Sequence, residues 1–148
     1  MLRTLLPLAA LLALTSATAF AEELPVREGT YYGGGEGGEL TVKLKHLDGD
    51  VYAIDIGTTV PMENDIPGCG GGVSGELIMS PSGGNLFIEN EDFVDGSSSP
   101  YENERYCEVN LTFDDDGFLN VQEQNGCLAY HGAACEFTGE LVHESAAG

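Results

Sequence analysis

Apolar and polar residues alternate along much of this chain, and that pattern restricts the fold more than any other feature of the sequence. The alternation is clear from Leu40 to Leu44, and it is most regular from Cys107 to Phe113. Because successive side chains of a β-strand point to opposite faces, a period of two predicts strands with one buried face. After the first residues no helical period continues, apart from one helical turn that could start at Ser99-Pro100.

The pattern predicts eight strands and an all-β fold. They lie around Thr30–Tyr32, Leu40–Leu44, Tyr52–Ile56, Val73–Met79, Leu86–Ile88, Cys107–Phe113, Leu119–Val121 and Phe137–Leu141. Asp48-Gly49, Pro81 to Gly84 and Asp116-Gly117 tolerate the positive φ of tight hairpins, so neighbouring strands should pair antiparallel. We predict a small eight-stranded antiparallel barrel held by disulfides, with a two-sheet β-sandwich as the alternative. The barrel is preferred because closure removes exposed strand edges.

The first residues have the features of an export signal. Arg3 supplies a positive charge, Leu5 to Leu14 form an apolar stretch, and Ala19-Phe20-Ala21 fits the small-residue cleavage pattern. The apolar stretch is shorter than the roughly 20 residues that span a bilayer. We therefore expect a signal peptide over residues 1–21 and a single domain over 22–148. The mature protein should be periplasmic or secreted, with no membrane insertion.

The mature chain is strongly acidic, which restricts the partners it can have. Residues 22–148 carry 25 carboxylates against four cationic side chains, which leaves a formal charge of −21. Such a field repels nucleic acid and anionic lipid and attracts cationic proteins or metal ions. The alternative is that the acids only keep an exported protein soluble.

Four cysteines in an exported protein indicate disulfides, and they allow three pairings. The shortest connection would join Cys127 to Cys135 and leave Cys69 to pair with Cys107. A zinc site is the alternative, but the usual spacing of zinc-binding cysteines is absent.

One acidic segment partly matches a calcium-binding loop. From Thr112 to Glu123 the chain has Asp114, Asp116, Gly117 and the final Glu123 at EF-hand offsets. Thr112 stands where the first aspartate belongs, and both flanks alternate as strands. We interpret the segment as a hairpin turn and expect no metal, with weak calcium binding by Asp114, Asp116 and Glu123 as the alternative.

No catalytic constellation is found in the sequence, so neither an enzyme nor a cofactor is expected. Gly70 to Gly75 fits a dinucleotide-binding glycine pattern, but no helix follows, which favours a mobile loop leading into a strand. Ser74 lacks the glycine frame of a hydrolase nucleophile, because Glu76 replaces the final glycine. A glycosidase would need aromatic side chains that stack on sugar, and the chain has no Trp.

The overall plan resembles small exported proteins of Gram-negative bacteria, and among them the periplasmic inhibitors of C-type lysozyme. The resemblance depends on Gly29-Thr30-Tyr31, a central Cys-Gly-Gly, and Tyr130-His131-Gly132 between Cys127 and Cys135. It implies a disulfide-bearing antiparallel barrel that inserts a Ser-Gly segment into the cleft of the enzyme. Ser74-Gly75 matches that segment, although Glu76 follows in place of the basic residue and tyrosine of those inhibitors.

We therefore expect a binding module for a cationic protein such as lysozyme, with an envelope-associated structural protein as the alternative. Function should lie in the disulfide-anchored loops Gly68–Ser74 and Leu128–Ala134, since strands form the core. Ser74, Gly75, Tyr130 and His131 are the candidate binding residues. In a tight loop, His131 could equally bond to the backbone. On the functional interpretation, Ser74→Ala or His131→Ala should weaken partner binding without lowering thermal stability.

Overall fold

The protein is an all-β barrel of eight antiparallel strands. The computed structural model describes residues 27–146, so the predicted signal peptide lies outside the described residues. The strands are β1 (Gly29–Gly35), β2 (Gly38–Asp48), β3 (Val51–Val60), β4 (Cys69–Ser80), β5 (Gly83–Glu89), β6 (Tyr106–Phe113), β7 (Leu119–Asn125) and β8 (Gly139–His143). Each strand neighbours the next, and β8 closes the barrel against β1. The predicted barrel is confirmed, and the sandwich alternative is wrong.

The barrel interior is filled by the apolar side chains that the alternation identified. In β6, for example, Cys107, Val109 and Leu111 are completely buried. The same inward positions in β2, β3 and β7 are occupied by leucine, isoleucine, valine and tyrosine. Burying each such side chain contributes about 1.5–3 kcal/mol, so this interior is the main source of stability. In the described part of the chain, no helix is long and apolar enough to cross a membrane. At Ser99-Pro100 there is a hydrogen-bonded turn.

The predicted loop over Gly68–Ser74 is wrong, because β4 already begins at Cys69 and continues to Ser80. Its glycines pair in register with β3, for example Gly71 with Thr58. Pairing requires only backbone groups, so a lack of side chains does not prevent a strand. A Cβ on Gly71 would collide with the Tyr130 carbonyl and the His131 side chain. The glycines therefore let another segment pack directly on this strand.

The disulfides are also different from the shortest pairing. Cys69 is joined to Cys135, and Cys107 is joined to Cys127. The reason is strand register: β6 and β7 pair so that Asn125 lies opposite Glu108, which brings Cys127 beside Cys107. Residues 126–138, which we call the plug, are thus tied to β6 at one end and to β4 at the other. Phe137, predicted to belong to the last strand, lies in the plug and is fully buried.

The two ends of the barrel are built differently. At one end lie the connections 36–37, 61–68 and 90–105 together with the plug, and both disulfides are there. We call it the braced end. The other end, which we call the turn end, has the short connections 49–50, 81–82 and 114–118. There Gly49 and Gly117 have φ of 53° and 87°, as the turn chemistry predicted.

Candidate functional site

The carboxylates are concentrated in the connections of the braced end. Nine lie there: Glu36, Glu63, Asp65, Glu91, Asp92, Asp95, Glu102, Glu104 and Glu136. The connections of the turn end hold four: Asp50, Asp114, Asp115 and Asp116. Within the braced-end connections Arg105 is the only arginine or lysine, and it donates two hydrogen bonds to Glu89 Oε1 at 3.0 and 3.1 Å. This end of the barrel is therefore the more anionic one.

Exposed apolar side chains accompany these acids. Met62 and Ile66 are 74% and 67% exposed in connection 61–68, and Val94 and Tyr101 are each 52% exposed in connection 90–105. Tyr106 at the start of β6 adds a further exposed ring. Exposed aromatic and large apolar groups are typical of the centres of protein-binding surfaces, and charged groups are typical of their rims. The braced end has both exposed apolar side chains and carboxylates.

A buried histidine–carboxylate pair fixes the plug inside the braced end. His131 Nε2 lies 2.8 Å from Glu123 Oε2, and the side chains are 2% and 15% exposed. The same Glu123 oxygen accepts a hydrogen bond from the Phe137 N–H at 2.9 Å. His131 Nδ1 faces the Gly132 carbonyl at 2.8 Å. Both ring nitrogens therefore have a polar contact inside the barrel, one to a side chain and one to the backbone.

The plug also continues the sheet beyond the last strand pairs. The Gly72 N–H donates to the Tyr130 carbonyl at 3.0 Å, and the Gly132 N–H donates to the Gly70 carbonyl at 3.4 Å. The Tyr130 hydroxyl donates to the Glu89 carbonyl on β5 at 3.1 Å. With a disulfide on either side, these contacts make the plug a rigid platform.

The pKa of Tyr130 is affected by the acidic connection 90–105 beside it. Partial burial raises the pKa of its phenol, and the nearby carboxylates of Glu91 and Asp92 raise this pKa further, since a phenolate would be repelled by them. The phenol therefore remains a neutral hydrogen-bond donor to β5 over the physiological pH range.

The structure divides the predicted binding residues between a strand and the plug. Ser74 is exposed on β4, where its hydroxyl donates to Asp55 Oδ2 at 2.6 Å. Gly75 lies under the side chains of Leu86 and Ile88. Tyr130 and His131 contact the same strand two residues or more before Ser74. His131 is buried, so its ring supports the plug and does not face a partner.

The three residues of the calcium alternative do not form one site. Asp114 Oδ1 accepts the N–H groups of Asp116 and Phe118 and so closes the β6–β7 turn. Glu123 lies four residues along β7 from Leu119, or about 13 Å at the usual rise per residue, and its carboxylate is bonded to His131. Among residues 27–146, no group of three or more His, Cys, Asp or Glu side chains is placed to hold a metal ion.

The sequence interpretation missed the pairing of Glu123 with His131, although one signal pointed to it. Leu119 and Val121 are inward positions of β7, and Glu123 has the same parity, so an extension of the alternation would have placed a carboxylate toward the barrel interior. A buried carboxylate requires a partner. The sequence contains three histidines, and only the fold selects His131 among them.

A comparison of the chain with protein-family models, with curated proteins and with solved structures found no match. A barrel of this kind can support many functions, so the fold alone does not indicate one. The functional conclusion therefore depends on the charge, the exposed groups and the rigidity of the braced end.

Proposed function

We propose that this protein is a periplasmic or secreted binding module that docks on a cationic protein through its braced end. One observation carries the proposal: nine carboxylates and several exposed apolar side chains lie on a platform fixed by two disulfides. A rigid surface loses little conformational entropy when a partner binds, so more of the contact energy appears as affinity.

The charge of the whole molecule supports a cationic partner. A formal charge of −20 steers basic proteins toward the barrel and repels nucleic acid and anionic membranes. The steering falls as salt is added, because the Debye length shortens from about 10 Å at 0.1 M to about 3 Å at 1 M ionic strength. Association should therefore slow with salt more than dissociation accelerates.

C-type lysozyme is the particular partner we propose to test, because many lysozymes are strongly basic enzymes with an open cleft. Since Ser74-Gly75 belongs to a strand, the inserting element would be connection 90–105. That connection is ordered by its own hydrogen bonds: the Val94 N–H donates to the Glu102 carbonyl at 2.8 Å, and the Ser97 hydroxyl donates to Glu102 Oε2 at 2.8 Å. Its exposed Val94 and Tyr101 would enter the cleft, and its carboxylates would meet the basic rim.

The proposal can be tested with two variants of equal charge. Glu91→Gln, Asp92→Asn and Asp95→Asn together neutralise three acids of the braced end. Asp50→Asn, Asp115→Asn and Asp116→Asn neutralise three acids of the turn end. None of these side chains accepts a hydrogen bond in the described structure, so both variants should fold normally. Binding to C-type lysozyme and inhibition of its activity are measured at low and at physiological salt.

We expect the braced-end variant to bind lysozyme about tenfold or more weakly, since three charges are removed from the contact. The turn-end variant should lose only the general steering, about two- to threefold at low salt. Equal losses in both variants would show that only net charge matters. An absence of lysozyme binding at both salt concentrations would exclude this partner, and a panel of basic periplasmic proteins would then test the wider proposal.

A further inference from the structure

Five of the nine side-chain amides in this chain point outward from one wall of the barrel. They are Asn85 on β5, Asn110 on β6, and Asn120, Gln122 and Gln124 on β7. The residues that alternate with them, such as Leu86 and Val121, are buried, so these amides lie on the solvent side of the strands. Elsewhere in this chain carboxylates maintain solubility. Solubility alone therefore does not explain why amides are preferred on this wall.

Strand register brings three of these amides into one row across the sheet. Asn85 pairs with Asn110, and Asn110 pairs with Gln122. Asn110 Nδ2 donates a hydrogen bond to Asn85 Oδ1. Whichever way the two amides are turned, one oxygen and one NH2 group of this pair have no other side-chain partner among the described residues. The row thus presents both acceptors and donors to solvent.

Two hollows in the outer surface meet at Asn85. The larger has a volume of about 540 Å³, and its lining includes Val51, Glu76, Ile78, Asn85 and Phe87. The smaller has a volume of about 270 Å³, and its lining includes Gly83, Gly84, Asn85, Asn110 and Thr112. Sites for small organic ligands usually measure about 300–1,000 Å³. We call the two hollows, together with Gln122 beside Asn110, the track, and it crosses the wall from β3 to β7.

Exposed apolar side chains lie in the track beside the amides. Phe87 is 52% exposed, and Ile78 is 73% exposed. The Phe87 ring also lies edge-to-face with the ring of Tyr106 on β6, with 6.5 Å between the centroids. The negative face of an aromatic ring attracts weakly positive C–H groups, such as those on the faces of a sugar ring. The track therefore combines a stacking surface with groups that bind hydroxyls.

The track is nearly uncharged, although the molecule as a whole is acidic. Of the twelve described residues that line the two hollows, only Glu76 is charged. A polyanion would be repelled by a molecule of formal charge −20, and a cationic protein meets more carboxylates at the braced end. Side-chain amides suit hydroxyl groups, because an amide and a hydroxyl can each donate and accept a hydrogen bond. The ligand that fits these residues best is an uncharged glycan, because it is rich in hydroxyl groups.

The spacing of the amides selects among glycans. Neighbouring strands lie about 4.8 Å apart, so Asn85, Asn110 and Gln122 recur at about this interval across the wall. One residue of a β-1,4-linked pyranose chain has nearly the same length. The track crosses four strand intervals from β3 to β7, or about 19 Å, which accommodates about four such rings. A curved α-1,4-linked chain does not keep step with a straight row of amides.

We propose that the track binds a straight, uncharged, β-1,4-linked glycan that lies across the strands. Phe87 stacks on one sugar ring, and Glu76 accepts a hydrogen bond from a hydroxyl of that part of the chain. Asn85, Asn110 and Gln122 exchange hydrogen bonds with the hydroxyls of successive rings. The site binds the glycan without cleaving it. It lies on the wall of the barrel, so it does not depend on the function proposed for the braced end.

The probes for the test are cellohexaose and fully N-acetylated chitohexaose, which share the straight β-1,4-linked chain. The control is maltohexaose, which has the same number of sugar rings as the probes but α-1,4 linkages. Calorimetric titration measures the affinity for each glycan. We expect at least one β-linked glycan to bind about tenfold or more tightly than maltohexaose. The side-chain NH2 signals of Asn85, Asn110 and Gln122 should shift in the nuclear magnetic resonance spectrum of that complex.

A matched pair of variants tests the amides. Asn85→Ala with Asn110→Ala removes both members of the hydrogen-bonded pair, so neither is left without its partner. Asn103→Ala with Asn125→Ala removes two other exposed amides, one in connection 90–105 and one at the end of β7. The first variant should bind the glycan about tenfold or more weakly, since several hydrogen bonds are lost. The second should bind it as the wild type does.

A second pair of variants tests the stacking ring. Phe87→Ala removes the exposed aromatic side chain of the track, and Tyr32→Ala removes an equally exposed one on β1. Both side chains face solvent, so both variants should fold. Phe87→Ala should weaken glycan binding by about tenfold, whereas Tyr32→Ala should leave it unchanged.

Salt separates this site from the braced end. Glycan affinity should change by less than about twofold between 0.1 and 1 M ionic strength, because the ligand has no charge to be screened. The variant with Glu91→Gln, Asp92→Asn and Asp95→Asn should bind the glycan as the wild type does. Loss of lysozyme binding without loss of glycan binding, or the reverse, therefore shows which of the two proposals has failed.

Four results would overturn the proposal. The first is an absence of binding by both β-linked glycans, and the second is equally tight binding of maltohexaose. The third is unchanged glycan binding by both the Asn85, Asn110 variant and the Phe87 variant, which would place the glycan elsewhere. The fourth is a dimer that forms as protein concentration rises and is lost in the Phe87 variant, since a second copy of the chain would then cover the track.

Discussion

The two ends of this barrel differ in how the connections between strands are held in place. At the turn end, strands reverse through short connections with a glycine at positive φ inside or directly after them (Gly49, Gly83 and Gly117), and local sequence determines each turn. At the braced end, one connection (36–37) is also short, but the other three are longer, and the end is held by two disulfides and by the pairing of Glu123 with His131. The turn end is therefore specified locally, whereas the braced end is specified by contacts between residues distant in the chain.

This difference indicates where the molecule can carry function. Tight turns contain few residues that could contact a partner. Their side chains also stabilise the backbone conformation of the turn, as Asp114 does by accepting two backbone hydrogen bonds. Longer connections on a fixed platform can present charged and apolar groups without loss of the fold. The acids and exposed apolar residues accumulate at the end that cross-links have made rigid.

The largest expected effect comes from removing a disulfide. In the chain-entropy model, bridges that close 20 and 66 residues stabilise by about 3.3 and about 4.3 kcal/mol. Cys107→Ala with Cys127→Ala, and Cys69→Ala with Cys135→Ala, should lower the free energy of unfolding by amounts of this order. Chemical denaturation measures the change.

Loss of the longer bridge should also release the plug from β4. Hydrogen exchange at the Gly72 amide should then accelerate before global unfolding, while the amides of the turn end remain protected. Digestion of the native protein without reduction should give peptides that join Cys69 to Cys135. Peptides that join Cys127 to Cys135 would contradict the structure.

A smaller effect should separate the buried His131 from the half-buried His46. His131→Ala leaves Glu123 without its main partner inside the barrel, which should cost about 2–3 kcal/mol. The sequence interpretation expected this change to leave stability unaltered, but the buried position of the ring leads us to expect destabilisation. His46→Ala at the turn end removes a solvent-exposed contact to the Gly49 carbonyl and a ring contact with Tyr52, and it should cost less than about 1 kcal/mol. Equal thermal stability of the two variants would contradict the bracing role of His131.

The smallest effect is electrostatic and concerns Tyr130. Its pKa lies above the ordinary value of about 10, because burial and then Glu91 and Asp92 disfavour the phenolate. The folded chain therefore keeps this proton to higher pH than the unfolded chain. The stability that Tyr130 contributes is complete below pH 10 or so and is lost as the pH rises through its folded pKa.

Glu91→Gln with Asp92→Asn should lower the pKa of Tyr130 but leave it above the ordinary value, since burial is the larger cause. Ultraviolet titration of the phenol, with Tyr130→Phe to assign the signal, measures the shift. A pKa unaffected by the two substitutions would show that the acidic loop does not lie against the plug.

The strands could be predicted because alternation is a local signal that each run carries by itself. The Cys107–Phe113 run and the turns at Gly49 and Gly117 have the expected structure. The glycine-rich start of β4 could not be predicted, since glycines give no alternation and the strand forms only because β3 and the plug pair with it. The shortest cysteine pairing was wrong for a similar reason, because register brings Cys127 to Cys107.

Of the candidate site, the sequence identified the excess of acids and the importance of the segment between Cys127 and Cys135. The sequence did not show that many of these acids lie at one end of the barrel. They are spread along the chain, and they come together only because the fold places the connections that carry them side by side. By itself the sequence determined the number of strands, the buried face of each and the net charge, since these depend on neighbouring residues. Tertiary structure alone decided the disulfide pairing and the partner of Glu123, because each depends on which distant strands lie side by side.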